Sequence, residues 1–305
     1  FNSRSYIGTG GAVRESGAGY TVFRNGPVLN VNNVGSFGGL TLQGDETAGD
    51  PSLNAGKLGL GGTNTFGGLG QAIVVNTNFT LSICRDVNLG NLANKLVLNS
   101  GTLAVEHGAA SDGTNAAVAV AAVVNTAREI DISGNAVVFV GNRSDPKNTA
   151  VAASNNGIPG QMTVTGPIVN GAAGPGNLTK TGVGTLTLTG ANTYTGNTTI
   201  NAGTLDLTQP TLHPNSTVTV AGGAVLKLDF NGTNRVADLV LNGVVKSPGI
   251  YDSGNSSPYL AGPGTLLVLA TGPAILTNAV SGNLLSLSWP AGQNWTLQTQ
   301  TNSLS

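Results

Sequence analysis

The stretch GNLTKTGVGTLTLTGANTYTGNTTINAGTLDL, Gly176–Leu207, decides the fold. Leu186 and Leu188 alternate with Thr185, Thr187 and Thr189, and Leu205 and Leu207 alternate with Thr204, Asp206 and Thr208. A period of two is the signature of a strand with one face buried. Glycine and asparagine fill the spaces between these runs and supply the tight and left-handed conformations of turns. The pentapeptide GTLTL at Gly184 returns as GTLDL at Gly203.

Working outward, the same five-residue pattern appears as GGLTL at Gly38, GKLGL at Gly56, GTLAV at Gly101, GQMTV at Gly160 and GTLLV at Gly264. From Gly38 to Gly264 the successive copies, in chain order, fit one, two, three, one, one and three units of a common period. That period is about 20.5 residues, a solenoid spacing. Weaker copies at Gly223-Ala224-Val225 and Gly243-Val244-Val245 fill the next slots after Gly203. A chain wound in coils of constant length pairs each strand in parallel with its counterpart one coil later, ~4.8 Å away. Leucine then rides on leucine inside, and threonine and asparagine form polar ladders outside. Twelve or so coils would make a rod roughly 60 Å long.

Composition agrees. Of 305 residues, 13 are Lys or Arg and 14 are Asp or Glu, for a net charge of −1. Charged residues are 9% of the chain, where an ordinary domain has about 25%. Like charges stacked in register repel, so a sparsely charged chain suits a stacked architecture. The charge balance excludes a nucleic-acid footprint and the basic stripe of a membrane-surface binder. One Cys excludes a disulfide framework. The longest apolar run, Ala116–Val124, falls well short of a membrane helix. The expected architecture is all-β: a right-handed parallel β-helix (β-solenoid) with about 20 residues per coil over 36–272. A strand or cap region at 1–35, with strand-like Tyr20–Phe23 and Val28–Val31, precedes it, and a small β unit at 273–305 follows. Asn142–Gln161 reads as an excursion loop. In the terminal unit, Leu284–Trp289 and Trp295–Gln300 read as strands.

Gly176–Leu207 closely resembles the autotransporter-associated β-strand repeat of secreted bacterial surface proteins. The resemblance is carried by Leu178, Lys180, Gly182, Gly184, Leu186, Leu188, Gly190, Asn192, Tyr194, Gly196, Thr199, Ile200, Gly203 and Leu205. It implies a right-handed parallel β-helix in an exported protein. It also implies that Gly184, Leu186, Leu188, Tyr194, Ile200, Gly203, Leu205 and Leu207 are structural repeat positions, with no catalytic residue to carry over. Leu284–Ser305 looks like the start of a module that follows such repeats. No barrel-like segment is present, so the resemblance implies a released or assembled piece, or a module of something longer. The expected location is extracellular or at the cell surface, with any leader outside this chain.

Few residues carry chemistry. Asp45, Glu46 and Asp50 are the donor type that calcium takes, but their spacing matches no calcium loop and reads as a solvated turn. Glu129 and Asp131 lie two apart on one strand face, the arrangement a glycosidase needs, with Arg128 beside them as an ion-pair partner. No second acidic pair recurs one coil away. His107 and His213 sit beside turn residues with no nucleophile motif, and read as loop histidines. Cys84 has the opposite parity to Phe79, Leu81 and Ile83, which points it away from their apolar face as a half-buried, inert thiol. Tyr194, Trp289 and Trp295 are candidates for stacking on sugars; corner packing for Tyr194 and a small terminal core for the tryptophans are the plainer readings. Asn-x-Ser/Thr triplets at Asn78, Asn142, Asn177, Asn197, Asn215, Asn231, Asn255 and Asn294 follow from the Asn and Thr content.

The sequence therefore predicts a non-enzymatic extracellular structural protein without cofactor or metal. It would self-associate head to tail or laterally into a fibre or layer through unpaired strand edges. The alternative is an adhesin-like passenger module that binds glycans or surfaces. A polysaccharide-cleaving β-helix enzyme built on Glu129 and Asp131 ranks behind both.

Overall fold

Strand Thr185–Leu188 realises the alternation, with Leu186 and Leu188 buried and Thr185 and Thr187 part-exposed. The computed structural model describes residues 21–23, 26–32, 38–42, 56–61, 64–105, 122–141, 159–269, 277–281 and 284–288. Among these the architecture is all-β, with one short 3-10 turn at Asp86–Leu89.

The strands stack in parallel. On one face Gln161 pairs with Thr185, Thr185 with Thr204 and Thr204 with Val225. On a second face Leu178 pairs with Thr198, Thr198 with Val218 and Val218 with Leu239. Hydrogen bonds between successive coils there join Asn197 to Asn177 and Thr217 to Asn197, each pair 20 residues apart. Another parallel run joins Thr21–Phe23, Leu40–Leu42, Ala72–Asn76 and Lys95–Asn99. It meets the second face through the 11-residue strand Ile130–Val140. The first half of that strand pairs with Lys95–Asn99 and the second with Thr102–Val105. Gly134, at φ +61°, lies at the junction. Parallel strands returning in this order are the pairing a β-solenoid requires.

Stacking makes the interior. One inward column runs Val124, Met162, Leu186, Leu205, Leu226, Leu260, each 2% exposed or less. Full burial of each such side chain contributes about 1.5–3 kcal/mol. The glycines of the pentapeptides stack as well. A Cβ on Gly184 would lie 2.3 Å from the Gly160 carbonyl oxygen, and one on Gly203 would lie 2.4 Å from that of Gly184. Gly203 also has φ +67°. These positions admit glycine because the neighbouring coil's backbone fills the space of a side chain.

The structure departs from the sequence reading in several places. The pentapeptides do not form one column: Thr102–Val105 stacks under Val137–Val140, whereas Gln161–Val164 stacks on Val123–Thr126. The coil length is not constant either. The contact from Lys95 to Glu129 spans 34 residues and that from Asn135 to Asn177 spans 42. The parallel register is kept across these longer spacings. Gly223-Ala224-Val225 leads into the next rung, but Val244–Val245 folds back antiparallel onto Leu241 and Val240. The strand-like pieces read near the start of the chain are strands, Thr21–Phe23 and Gly26–Asn32, which pair in parallel with Leu40–Leu42 and Gly56–Gly61. Gln161 and the preceding Gly160 are laddered; 142–158 lies outside the described residues. Leu284–Ser288 is a strand whose antiparallel partner is Thr277–Ser281, while Trp295–Gln300 lies outside the described residues.

Replacing Leu205 with Ala is expected to cost about 2–5 kcal/mol in urea unfolding of the full chain, and Gly184→Ala about 1–3 kcal/mol. The outward Thr187→Ala should stay within ~0.5 kcal/mol of wild type.

Candidate functional site

Among the described residues, polar side chains gather into an exposed ionic ladder, a buried arginine staple, a buried lysine and amide ladders, with a further ion-pair cluster at Lys227, Asp206 and Asp229. Lys95, Glu129 and Asp131 make the first. Register places Leu96 beside Ile130, so the preceding Lys95 faces Glu129 across adjacent coils. Its ammonium donates to Glu129 and lies 3.7 Å from Asp131. The hydrogen bond from Lys95 holds Glu129 below the usual carboxylate range, while burial pushes Asp131 up. Asp131 is paired along the ladder with Val97 and Val169, which explains its desolvation. The two carboxylates do share a face, as their spacing implies.

Arg128 does not pair with them. Its side chain is 1% exposed and turns inward to Asp86, 42 residues earlier. Nε donates to Asp86 Oδ1 at 2.9 Å and Nη2 to Oδ2 at 3.3 Å. The guanidinium also donates to the Gly90 carbonyl at 2.9 Å and the Asn94 carbonyl at 3.2 Å. A planar fork with five donors is suited to gathering a carboxylate and several carbonyls at once. Arg128 thus staples the loop Asp86–Asn94 to the next coil. Alternation along the strand could not show this, because Arg128 precedes the strand and its partner lies on a loop.

Lys180 occupies an inward position, between Val138 of one coil and Ile200 of the next, and is fully buried. Its ammonium bends to the corner and donates to the carbonyls of Thr181 (2.9 Å), Gly182 (2.7 Å) and, across the coil step, Ala202 (3.0 Å). Burial pushes this amine down to about 8 from the usual 10.5. Tyr194 is buried at a corner, its hydroxyl 2.9 Å from that of Thr198, and burial pushes its phenol up to about 12.

Amides form ladders at other corners. Asn99 Nδ2 donates to Asn76 Oδ1 at 3.0 Å, and Asn177 Nδ2 donates to Asn135 Oδ1 at 2.9 Å. The Asn197 and Thr217 backbone N–H groups continue the second ladder by donating to the side chains of Asn177 and Asn197, each at 2.8 Å. The Asn177 and Asn197 triplets are therefore engaged in structure.

Among the other sequence candidates, Gly184, Leu186, Leu188, Ile200, Leu205 and Leu207 are buried, and Gly203 is the left-handed corner residue. Cys84 is 2% exposed and packs in the core, contrary to its parity. The strand ends at Ile83 and the chain turns, so alternation stops there; the Cys84 backbone N–H donates to Asn88 Oδ1 at 3.0 Å. His213 is half-buried in a turn, where Nδ1 accepts from the Asn215 N–H at 3.2 Å. Asp45, Glu46, Asp50, His107, Asn142, Trp289, Asn294 and Trp295 fall outside the described residues. Among the described residues no group of three or more His, Cys, Asp or Glu could hold a metal ion. One outward aromatic, Phe139, did not emerge from the sequence; a position of opposite parity to Val138 and Val140 was its only signal.

Residues 178–207 match the Passenger-associated-transport-repeat. The chain carries an autotransporter-associated repeat. Tyr194, Lys180 and the stacked glycines lie in or beside this passenger repeat and are its corner and interior fittings. The chain is also 31% identical over 198 residues to the adhesin BmaC autotransporter of Brucella suis biovar 1 (strain 1330). That alignment covers 64% of this chain and 5% of the relative, so the chain spans a small fraction of that protein's length. No solved structure matches.

Arg128→Ala should cost about 3–5 kcal/mol, because it leaves the part-buried Asp86 carboxylate and several carbonyls without their partner; Arg128→Lys should recover part of this in the same urea titration. Lys180 gives a pH signature of known sign. Its folded value lies below its unfolded value, so its contribution is complete above 10.5 and is lost as the pH falls towards about 8. Stability should climb by up to ~3 kcal/mol across that window, and Lys180→Met should lack this part of the slope.

Proposed function

We propose that the chain is a segment of an autotransporter passenger: a right-handed parallel β-solenoid of about 20 residues per basic coil that serves as a non-enzymatic adhesive module at or beyond the cell surface. The observation that carries this reading is the passenger repeat at 178–207, set within a parallel ladder. The adhesin relative adds support. A rigid stack with loops at its corners is a suitable scaffold for display.

The head-to-tail fibre predicted from sequence finds less support. At Asp238–Leu241 the ladder edge is occupied by antiparallel Val244–Val245, and Gly249–Tyr251 lies antiparallel on Thr265–Val268. Strand addition at either place would have to displace a strand already bound. The enzyme reading is weakened by Lys95, which occupies Glu129 and approaches Asp131 in an ion-pair ladder.

Beads coated with the full chain should adhere to glycan-bearing or matrix-coated surfaces above albumin-coated controls, and the free chain should sediment as an extended monomer. Absence of adhesion would overturn the adhesive reading. Filaments under negative stain would restore the fibre. Release of sugars from a polysaccharide panel, lost in Glu129→Ala or Asp131→Ala, would restore the enzyme.

A further inference from the structure

An asparagine followed by glycine is a chemically weak point of a chain. Glycine has no Cβ to keep its backbone nitrogen away from the preceding side-chain amide. Among the described residues such pairs fall at Asn170-Gly171, Asn231-Gly232 and Asn242-Gly243. The fold treats them differently. At Asn170 both reacting groups are held: Nδ2 donates to Thr195 Oγ1 at 3.0 Å, Oδ1 accepts from the Thr195 N–H at 3.1 Å, and the Gly171 N–H donates to the Ile132 carbonyl at 2.7 Å. Asn231 is exposed, but the Gly232 carbonyl accepts from the Thr265 N–H at 3.0 Å and from its hydroxyl at 3.3 Å, which holds the glycine in place. Asn242 and Gly243 are both exposed, and neither the Asn242 side-chain amide nor the Gly243 N–H has a hydrogen-bond partner among the described residues.

The free pair also stands at a structural joint. Asn242 and Gly243 are the central residues of the turn from Asp238–Leu241 into Val244–Val245. Their φ values are +49° and +77°, and a two-residue hairpin turn of this kind needs both positive. Val244–Val245 is the strap that closes the ladder on its face. Its hold is slight: Val244 is in register with Leu241, Val245 with Val240, and the Lys246 N–H donates to the Leu239 carbonyl at 2.8 Å. Val244 and Val245 are 58% and 67% exposed, so apolar burial adds little to that hold.

We propose that Asn242 is a site of spontaneous deamidation, and that the isoaspartate formed there releases the strap from the ladder edge. The reaction needs only water. The Gly243 nitrogen gives its proton to a solvent base and attacks Asn242 Cγ. The Cγ–Nδ2 bond breaks, and the amide nitrogen leaves as ammonia with a proton returned by solvent. The cyclic imide then takes up one water. Opening at Cγ leaves aspartate at this position; opening at the main-chain carbonyl carbon leaves isoaspartate, whose backbone runs through Cβ and Cγ. The second route lengthens the turn by a methylene, and a two-residue hairpin has no slack to absorb it. The strap then loses register with Val240 and Leu241, and the edge of Asp238–Leu241 stands open to other strands.

The test is ageing of the folded full chain in mildly alkaline buffer, followed by peptide mapping and enzymatic methylation of isoaspartate. Modification is expected to accumulate at position 242 ahead of 231 and to spare 170. In the modified chain the Lys246 amide should exchange with deuterium about tenfold faster than in the fresh chain, as local opening requires. Asn242→Gly keeps the left-handed turn and lacks the reacting amide; it should age without change at this position and exchange as the fresh wild type does. No isoaspartate at Asn242, or isoaspartate gathering as fast at Asn170, would overturn the site. A modified chain whose Lys246 amide exchanges at the fresh rate would overturn release of the strap.

Discussion

Parallel backbone pairing between coils is the constraint from which the rest follows. Each hydrogen-bonded rung sets a residue directly on its counterpart in the coil before, so the choice at one position restricts the next. Val124, Met162, Leu186, Leu205, Leu226 and Leu260 can share a column because each presents an aliphatic surface of similar depth. Gly160, Gly184 and Gly203 share another because a carbonyl of the preceding coil takes the space of a Cβ. Packing here is a condition on columns more than on single residues.

Charge obeys the same condition. Asp206 is in register with Lys227, whose ammonium lies 3.1 Å from Asp206 and 2.7 Å from Asp229. Lys95 stands in the same relation to Glu129. Opposite charges one coil apart attract where like charges would repel. Arg128 and Lys180 solve a different problem: each turns a cation to backbone carbonyls at a corner, where the ladder leaves acceptors unused. Lys180 does so from an interior position, which requires removing an ammonium from water.

Much of this is legible in the sequence, and the boundary of legibility is physical. Leu186 and Leu188 announce a strand because a period of two has one structural meaning on that scale. The recurrence of GTLTL as GTLDL marks a coil step that Leu186 and Leu205 keep in register. The same pentapeptide at Gly101 and Gly160 carries no phase, since a glycine followed by alternating aliphatics suits any face of a coil. Cys84 and Arg128 escape the sequence reading for a shared reason. Alternation governs a residue only while the strand lasts, and both sit just outside one. Phe139 can be placed outward only once the inward set of Ala136, Val138 and Val140 is known.

The Gly160 N–H donates to the Gly141 carbonyl at 2.8 Å, so the chain leaves the ladder and rejoins it within a single hydrogen bond. Closing a loop between fixed ends costs free energy that grows only with the logarithm of its length. Two ladder residues held one hydrogen bond apart therefore make a join at which chain length is only a weak constraint. Evolution, or an engineer, can change the number of residues between them while the rungs on either side keep their phase.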